Sequence, residues 1–356
     1  MVNNITIKGY KSFREQKVQL GRINLLIGSN GAGKSNFLSL FELLNNAFEQ
    51  RLSSYVPSLG GVDKLLFQGR KTTEEIYIRL LMEKNSYELK LQEADGKLMV
   101  ADEALGYFPS DWGTTNSISS YTQEANIKNY DGKKRGDYIK NYLSNIRKFH
   151  FHDTGRRSPF ASECHIVNDA YTLYSHGENI APILFRIQKE KSLLYQRIVK
   201  IVQSVAPYFS DFYFNVSTAD TIRLQWRDKY SEMIYGPNDL SDGTIRFIAL
   251  TTLFMQPILP SVVVIDEPEL GLHPVAIQKL AGLMSSASAR GCQIIAATQS
   301  ADLIANFNPE DIMTVNQKEG QTYICRLSTE ELSHWLDDYT LGDLWKQNIV
   351  RGGQPL

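Results

Sequence analysis

The chain has 356 residues, of which 42% are apolar and 22% charged, so it is neither a disordered nor a collagen-like polymer and has material for one large domain or two modest ones. Lys plus Arg number 38 against 39 Asp plus Glu, which argues against a protein basic all over that coats nucleic acid without selection. No apolar run nears the roughly 18 residues of a membrane span. The first six residues lack the charged-then-apolar layout of a signal peptide, and Cys164, Cys292 and Cys325 are scattered with no CxxC, which fits a reducing cytoplasm rather than a disulfide framework or zinc knuckle.

In chain order, residues 4–8 and 16–20 read as short strands, and Ile23-Asn24-Leu25-Leu26-Ile27 as a strand buried on both faces. A glycine-rich turn follows, then a helix over 35–48. Residues 74–82 and 86–92 read as a hairpin. The Gly, Ser, Thr, Asn and Asp content of 103–135 predicts a long loop or insertion. Between 127 and 160, nine Lys/Arg stand against three Asp; from 301 onward, four basic residues stand against nine acidic ones. The neutral total therefore hides a polarised chain. An apolar stripe at Leu184, Ile187, Leu194, Ile198, Ile201 and Val205, interrupted by Lys191, predicts an amphipathic helix packed on its own domain, or a short arm or lid facing a partner. Strand–helix alternation then returns: a helix over 241–255, a strand over 262–265, a helix over 274–287 and a strand over 293–297. Alternation of this kind implies parallel strands covered by helices.

Gly28-Ser29-Asn30-Gly31-Ala32-Gly33-Lys34-Ser35 matches G-x-x-x-x-G-K-[ST] between a predicted strand and a predicted helix. The glycines let the backbone curl so that N–H groups converge on phosphate oxygens, and the helix N-terminus adds its dipole at the same point. Lys34 is expected to reach the β- and γ-phosphates of ATP, Ser35 to ligate Mg²⁺, and Asn36 to border the site. Val262-Val263-Val264-Ile265-Asp266-Glu267 is a buried strand that ends in two acids at the sheet edge where the phosphate loop sits. Asp266 is expected to hold Mg²⁺, and Glu267 to orient and polarise the attacking water.

Leu240-Ser241-Asp242-Gly243-Thr244 begins its serine 25 residues before Asp266 and opens a helix with Ser241 as a plausible N-cap. At this point the sequence resembles the ABC-type ATPases, whose signature is LSGGQ. It is similar to the RecF/SMC-like branch, and closely so to the stand-alone bacterial AAA family ATPases of genome maintenance and phage defence. Ile7-Lys8-Gly9-Tyr10-Lys11-Ser12-Phe13 is similar to that branch's GFKSF opening, and Gly271-Leu272-His273-Pro274 follows the second carboxylate motif in the expected order. The resemblance implies an α/β P-loop NTPase of ABC-head type. Such a head has a mixed central sheet, an N-terminal antiparallel β portion and a helical insertion. It divides the chain into a head of 1–102 and 207–356 and an insertion or lid of 103–206.

The resemblance further implies that two heads sandwich two ATP molecules, so that Ser241, Asp242 and Gly243 of one copy face the γ-phosphate held by the other. A helix N-terminus with a hydroxyl suits that anion. The implied output is a switch in DNA repair or antiphage defence. It would work through a homodimer or higher oligomer acting on DNA, or as an ATP-held scaffold that restrains or activates a partner effector such as a nuclease or toxin. Lys11, Ser12 and Phe13 either line the adenine end or form a surface turn. Gln68 is either a metal or water ligand or a plain turn residue.

This sequence departs from the family pattern at Asp242, where a glycine is usual, at Thr244, where Gln is usual, and at Gln299, where a switch His is usual. Gln299 can hydrogen-bond a phosphate or the water but cannot become charged near neutral pH, so slow turnover is expected. His150 and His152, spaced to share a strand face, read as a network that positions Gly155-Arg156-Arg157, or with Cys164 and His165 as a metal site. Arg156 and Arg157 read equally as phosphate binders or as a solvated loop.

Overall fold

The computed structural model describes residues 1–110, 112–131 and 133–350. Of the cations counted between 127 and 160, the side chains of Lys133, Lys134 and Arg135 lie outside the description, as does Arg351 near the C-terminus.

The N-terminal half builds an antiparallel sheet from β1 (Asn4–Tyr10), β2 (Phe13–Gln19), β4 (Glu75–Met82), β5 (Asn85–Ala94), β6 (Lys97–Tyr107) and β7 (Thr114–Ser119), in the order β2-β1-β4-β5-β6-β7. Between β2 and β4 the chain passes through β3 (Ile23–Ile27), α1 (Lys34–Phe48) and α2 (Leu52–Ser58). After β7 come α3 (Lys133–Ser144), β8 (Ile146–Phe149), β9 (Cys164–His165), α4 (Ile180–Glu190) and α5 (Ser192–Gln203). The short strands β10 (Phe209–Phe212), β11 (Thr221–Ile222), β12 (Trp226–Asp228) and β13 (Ile234–Tyr235) follow. Then come α6 (Asp242–Met255), β14 (Val262–Asp266), α7 (Pro274–Ala289) and β15 (Gln293–Thr298). The chain closes with α8 (Ala301–Ile304), the hairpin β16 (Ile312–Lys318) and β17 (Gln321–Arg326), α9 (Thr329–Leu336) and α10 (Leu341–Lys346).

The central sheet runs β17-β16-β3-β15-β14-β8, parallel throughout except for the edge strand β17. Its central strands β3, β14 and β15 are mostly apolar on both faces because both are covered. Leu26, Val262, Val264, Ile295 and Ala297 face α1 and the antiparallel sheet, whereas Leu25, Ile27, Val263, Ile265, Ile294 and Ala296 face α4 to α7. The period-two alternation of a strand thus feeds two separate apolar cores from one sheet.

The span 103–206 is woven into both sheets. Its first residues complete β6, β7 extends the antiparallel sheet, and β8 pairs in parallel with β14. Sequence pattern hides this. Thr114–Ser119 is a polar edge strand, and Glu103 is an acid buried at the centre of β6's pairing. Its carboxylate accepts from Tyr87 Oη at 2.7 Å, Asn126 N at 2.6 Å and Ile127 N at 3.2 Å, the compensation that a buried charge needs.

The single amphipathic helix expected over 184–205 is two helices. Lys191, at φ −140° and ψ 60°, breaks it between α4 and α5. Leu184, Ile187, Ile198 and Val202 are buried in the core, so the stripe packs on its own domain rather than forming a free arm. Among the described residues no helix is long and apolar enough to cross a membrane.

Candidate functional site

Four neighbouring parallel strands deliver the site, because each ends at the same sheet edge. β3 runs into Gly28, β15 ends one residue before Gln299, β14 ends at Asp266, and β8 leads to His152. The phosphate loop takes its curl from Gly31 and Gly33, at φ +80° and +111°, which side-chain-bearing residues rarely adopt. A Cβ on Gly28 would sit 2.4 Å from the Val315 carbonyl oxygen, and one on Gly33 would sit 2.1 Å from Thr322 Oγ1, so both glycines are also fixed by the β16–β17 hairpin behind them.

Lys34 begins α1 and is only 7% exposed. Its ammonium donates to Gly28 O at 2.6 Å and Ser29 O at 2.9 Å. Burial lowers its pKa, and the negative charges of Asp266 and Glu267 oppose that shift. Ser35 Oγ donates to Asp266 Oδ2 at 3.1 Å, across the end of the intervening strand β15. Glu267 N still bonds Ala297 O at 2.8 Å, continuing the ladder, and then Glu267 itself adopts φ +43°. A glutamate in the left-handed region costs roughly 1–2 kcal/mol, and such strain tends to persist where the surroundings over-determine a functional side chain. Gln299 Nε2 donates to Glu267 Oε1 at 3.0 Å and to Asn30 Oδ1 at 2.8 Å, tying the acid to the loop. Together these groups line a hollow of about 310 Å³, within the range of small-molecule sites.

The arrangement fits a nucleoside triphosphate with a divalent cation. It offers a glycine loop in which Gly28 and Gly33 leave no room for a side chain, a buried ammonium bonded by its own loop's carbonyls, and a hydroxyl–carboxylate pair of hard oxygen donors.

Residues 117–305, more than half of the chain, match the family described as "AAA domain, putative AbiEii toxin, Type IV TA system". The chain belongs to this AAA-domain family. Residues 1–156 also match an AAA ATPase domain. Among solved structures, the Smc head bound to the C-winged helix domain of ScpA aligns with a TM-score of 0.56 and 17% identity, over 94% of this chain and 99% of that one. The *Pyrococcus furiosus* Smc head with an extended coiled coil, bound to the C-terminal domain of ScpA, aligns with a TM-score of 0.55 and 15% identity, over 95% and 98%. At these identities the likeness establishes the fold, a P-loop NTPase of the ABC-type head. No curated protein sequence matches.

The AAA-domain protein places the remaining candidates unevenly. Asn36 borders the nucleotide hollow and also a neighbouring shallow one, lined by Lys11, Ser12 and Gln68. Lys11, at φ +48°, donates from Nζ to Ser39 Oγ at 2.8 Å, and Ser12 Oγ accepts from Asn36 Nδ2 at 2.8 Å. Phe13 is fully buried, edge-on to Phe37, and has no surface to offer an adenine ring. Gln68, in a left-handed turn at φ +56°, lies on the Lys11–Ser12 side and is not among the residues lining the Ser35–Asp266 hollow.

Ser241 caps α6, accepting from Thr244 N at 3.2 Å. Ser241 and Asp242 are exposed and do not line their own chain's hollow. Gly243 is needed for packing, since a Cβ there would approach Gly271 O to 2.4 Å, whereas Asp242 projects outward, which explains why only one of the two signature glycines is retained. Arg246, one turn along, donates to Phe151 O, His152 O and Leu270 O at 3.2, 2.9 and 2.9 Å, and so holds the loop after β8 against α6. His273 is the N-cap of α7, its Nδ1 accepting from Val275 N at 3.3 Å.

His152 lines the nucleotide hollow beside Asp266 and Glu267, a placement that spacing alone did not disclose. The usable signal was the Phe149-His150-Phe151-His152 alternation just beyond β8, a strand end comparable to those before Asp266 and Gln299. His150 and His152 lie outside the strand with ring centroids 4.4 Å apart, and among the described residues no group of three or more His, Cys, Asp and Glu could hold a metal. Arg156 and Arg157 are exposed, and Arg156 O accepts a long 3.5 Å bond from Asn238, just ahead of the signature.

Proposed function

We propose that this protein binds ATP with Mg²⁺, hydrolyses it slowly, and uses it to join two copies head to head as a switch in DNA repair or antiphage defence. One observation carries the reading: the Ser35–Asp266 pair at 3.1 Å and the Glu267–Gln299 pair at 3.0 Å share the hollow into which Lys34 is folded. Lys34 would exchange the carbonyls of Gly28 and Ser29 for β- and γ-phosphate oxygens, and the loop amides would bind the same phosphates. Ser35 and Asp266 would hold the cation, which when bound neutralises charge developing on the phosphate oxygens. Glu267 accepts a hydrogen bond from the attacking water and aims it in line, while Gln299 fixes the Glu267 carboxylate and His152 supplies a further polar group to the water's surroundings.

The exposed Ser241 cap supports a second copy as the missing wall, since a solvent-facing helix N-terminus lies outside its own chain's hollow. Sedimentation of the wild type and of Glu267→Gln with Mg²⁺ and ATP tests this. The substituted protein should accumulate as a dimer and Lys34→Ala should remain monomeric; a Glu267→Gln protein that stays monomeric at saturating ATP would defeat the shared-nucleotide reading. A second reading, a scaffold that ATP holds in place to restrain or activate a toxin or nuclease, draws support from the family's description as a putative AbiEii toxin of a Type IV TA system and from the uncharged Gln299 at the switch position. Turnover stimulated by DNA favours the first reading, and a constitutive complex indifferent to DNA favours the second.

A further inference from the structure

A second hollow, of about 580 Å³, adjoins the nucleotide pocket through His150 and His152, whose rings meet edge-on with centroids 4.4 Å apart. Its walls are the second half of α1, strand β8 and the segment 172–178. They are fixed before any ligand arrives. Asn45 Nδ2 donates to Ile146 O at 3.2 Å, joining α1 to β8, and His150 N donates to Ser175 O at 2.8 Å, joining the strand end to the segment. The buried Asn179 secures that segment in turn, accepting from Tyr174 N at 2.8 Å and donating to Thr172 O at 2.8 Å.

The charges facing this hollow do not balance. Three cations, Arg51, Arg147 and Lys148, face two carboxylates, Glu42 and Glu178, with the imidazoles of His150 and His176 beside them. Both carboxylates are already engaged, Glu42 with Lys148 at 2.7 Å and Glu178 with His176 at 3.3 Å. Among the described residues the side chains of Arg51 and Arg147 have neither hydrogen bond nor ion pair. Partial burial and then the positive fields of His152, His176 and Lys148 hold His150 below its ordinary pKa, with Asp266 alone acting the other way. A cluster of two unengaged guanidinium groups and two imidazoles lacks one thing, an anion, and arginine forks match phosphate oxygens in pairs. The volume suits a nucleotide-sized molecule rather than a bare ion.

We propose that the hollow between α1, β8 and the segment 172–178 is a second binding site, taking a phosphate ester of mononucleotide size through Arg51, Arg147 and His150. The site is separate from the phosphate-loop hollow and does not depend on the ATPase reading. The phosphate comes either from a free nucleotide or from the phosphorylated end of a nucleic-acid strand, and the test distinguishes them.

Calorimetry on the full chain carrying Lys34→Ala, which removes the phosphate-loop lysine, is run with AMP, with a 5′-phosphorylated oligodeoxynucleotide, with the same oligonucleotide unphosphorylated, and with inorganic phosphate. Saturable binding of AMP identifies a free nucleotide. Saturable binding of the phosphorylated oligonucleotide, with the unphosphorylated one inert, identifies a strand end. In either case Arg51→Gln with Arg147→Gln should weaken binding by about tenfold or more, as expected for lost charged hydrogen bonds. The His150 imidazole resonances, assigned with His150→Asn, should titrate at higher pH with ligand bound. Both arginines are exposed, so the double variant should keep its fold, which circular dichroism checks. No saturable binding by AMP or the phosphorylated strand, or binding that survives the double substitution, overturns the proposal.

Discussion

Thr322 offers the sharpest test of how the fold holds the phosphate loop ready. It lies fully buried on β17, and its hydroxyl oxygen is 2.9 Å from Ala32 O and 2.7 Å from Ser12 Oγ. Since Ala32 O can only accept, the Thr322 proton belongs there, and Ser12 completes the pair. Thr322→Val keeps the volume and removes the oxygen, leaving the carbonyl of the buried Ala32 unpartnered. An orphaned buried acceptor costs about 1–3 kcal/mol. If the loop escapes that cost by leaving its curled conformation, nucleotide must supply the energy to restore it, and ATP affinity falls by roughly 5- to 150-fold. A fluorescent ATP analogue titrated in Mg²⁺ measures this, with Thr322→Ser as the control that retains the hydroxyl. The expected order is wild type and Ser together, and Val weaker. A Val protein that melts earlier yet binds nucleotide as tightly as the wild type would refute the idea that the hairpin tensions the loop.

Three further outcomes follow from the geometry. Gly243→Ala should destabilise the fold by about 1–3 kcal/mol in urea unfolding, because the new methyl meets Gly271 O, while Asp242→Ala beside it should stay within about 0.5 kcal/mol. Burial raises the pKa of Glu269, whose carboxylate accepts from Thr298 Oγ1 at 2.5 Å. The folded state therefore holds a proton that the unfolded chain has released, and stability declines as pH rises from 4.5 through the raised value. Glu269→Gln should flatten that decline in unfolding curves taken across the window, and an unchanged slope would assign the decline to another group. His152→Ala should lower turnover while leaving ATP affinity close to wild type, since His152 lines the hollow with Asp266 and Glu267 and, among the described residues, its side chain makes no hydrogen bond to the phosphate loop. Equal losses in binding and turnover would count against that role.

Local chemistry made much of the site legible. A glycine pattern that permits positive φ, a lysine and serine at the helix start, and acids after a β-branched run all carry their meaning within eight residues of chain, and Gly31, Gly33, Lys34, Ser35, Asp266 and Glu267 line one hollow. The parallel strands β3, β14 and β15 were equally plain, because burial on both faces leaves a nearly continuous apolar run, whereas β8 and β16, with polar residues among the apolar ones, went unread. β7 was hidden because an exposed edge strand is held by its backbone and leaves no trace in side-chain pattern. The break at Lys191 was hidden because an apolar stripe has the same period on two stacked helices as on one.

Spacing along the chain marked out the candidate residues for phosphate chemistry, since each motif is read over a single turn of backbone. The order of strands in the sheet decided the rest. It brought His152 to Glu267 and turned Phe13 inward to Phe37. It set Gln68 among Lys11 and Ser12, and it left Ser241 facing away from its own chain's hollow. These are contacts between segments far apart in sequence, fixed by which strands pair and which faces are buried.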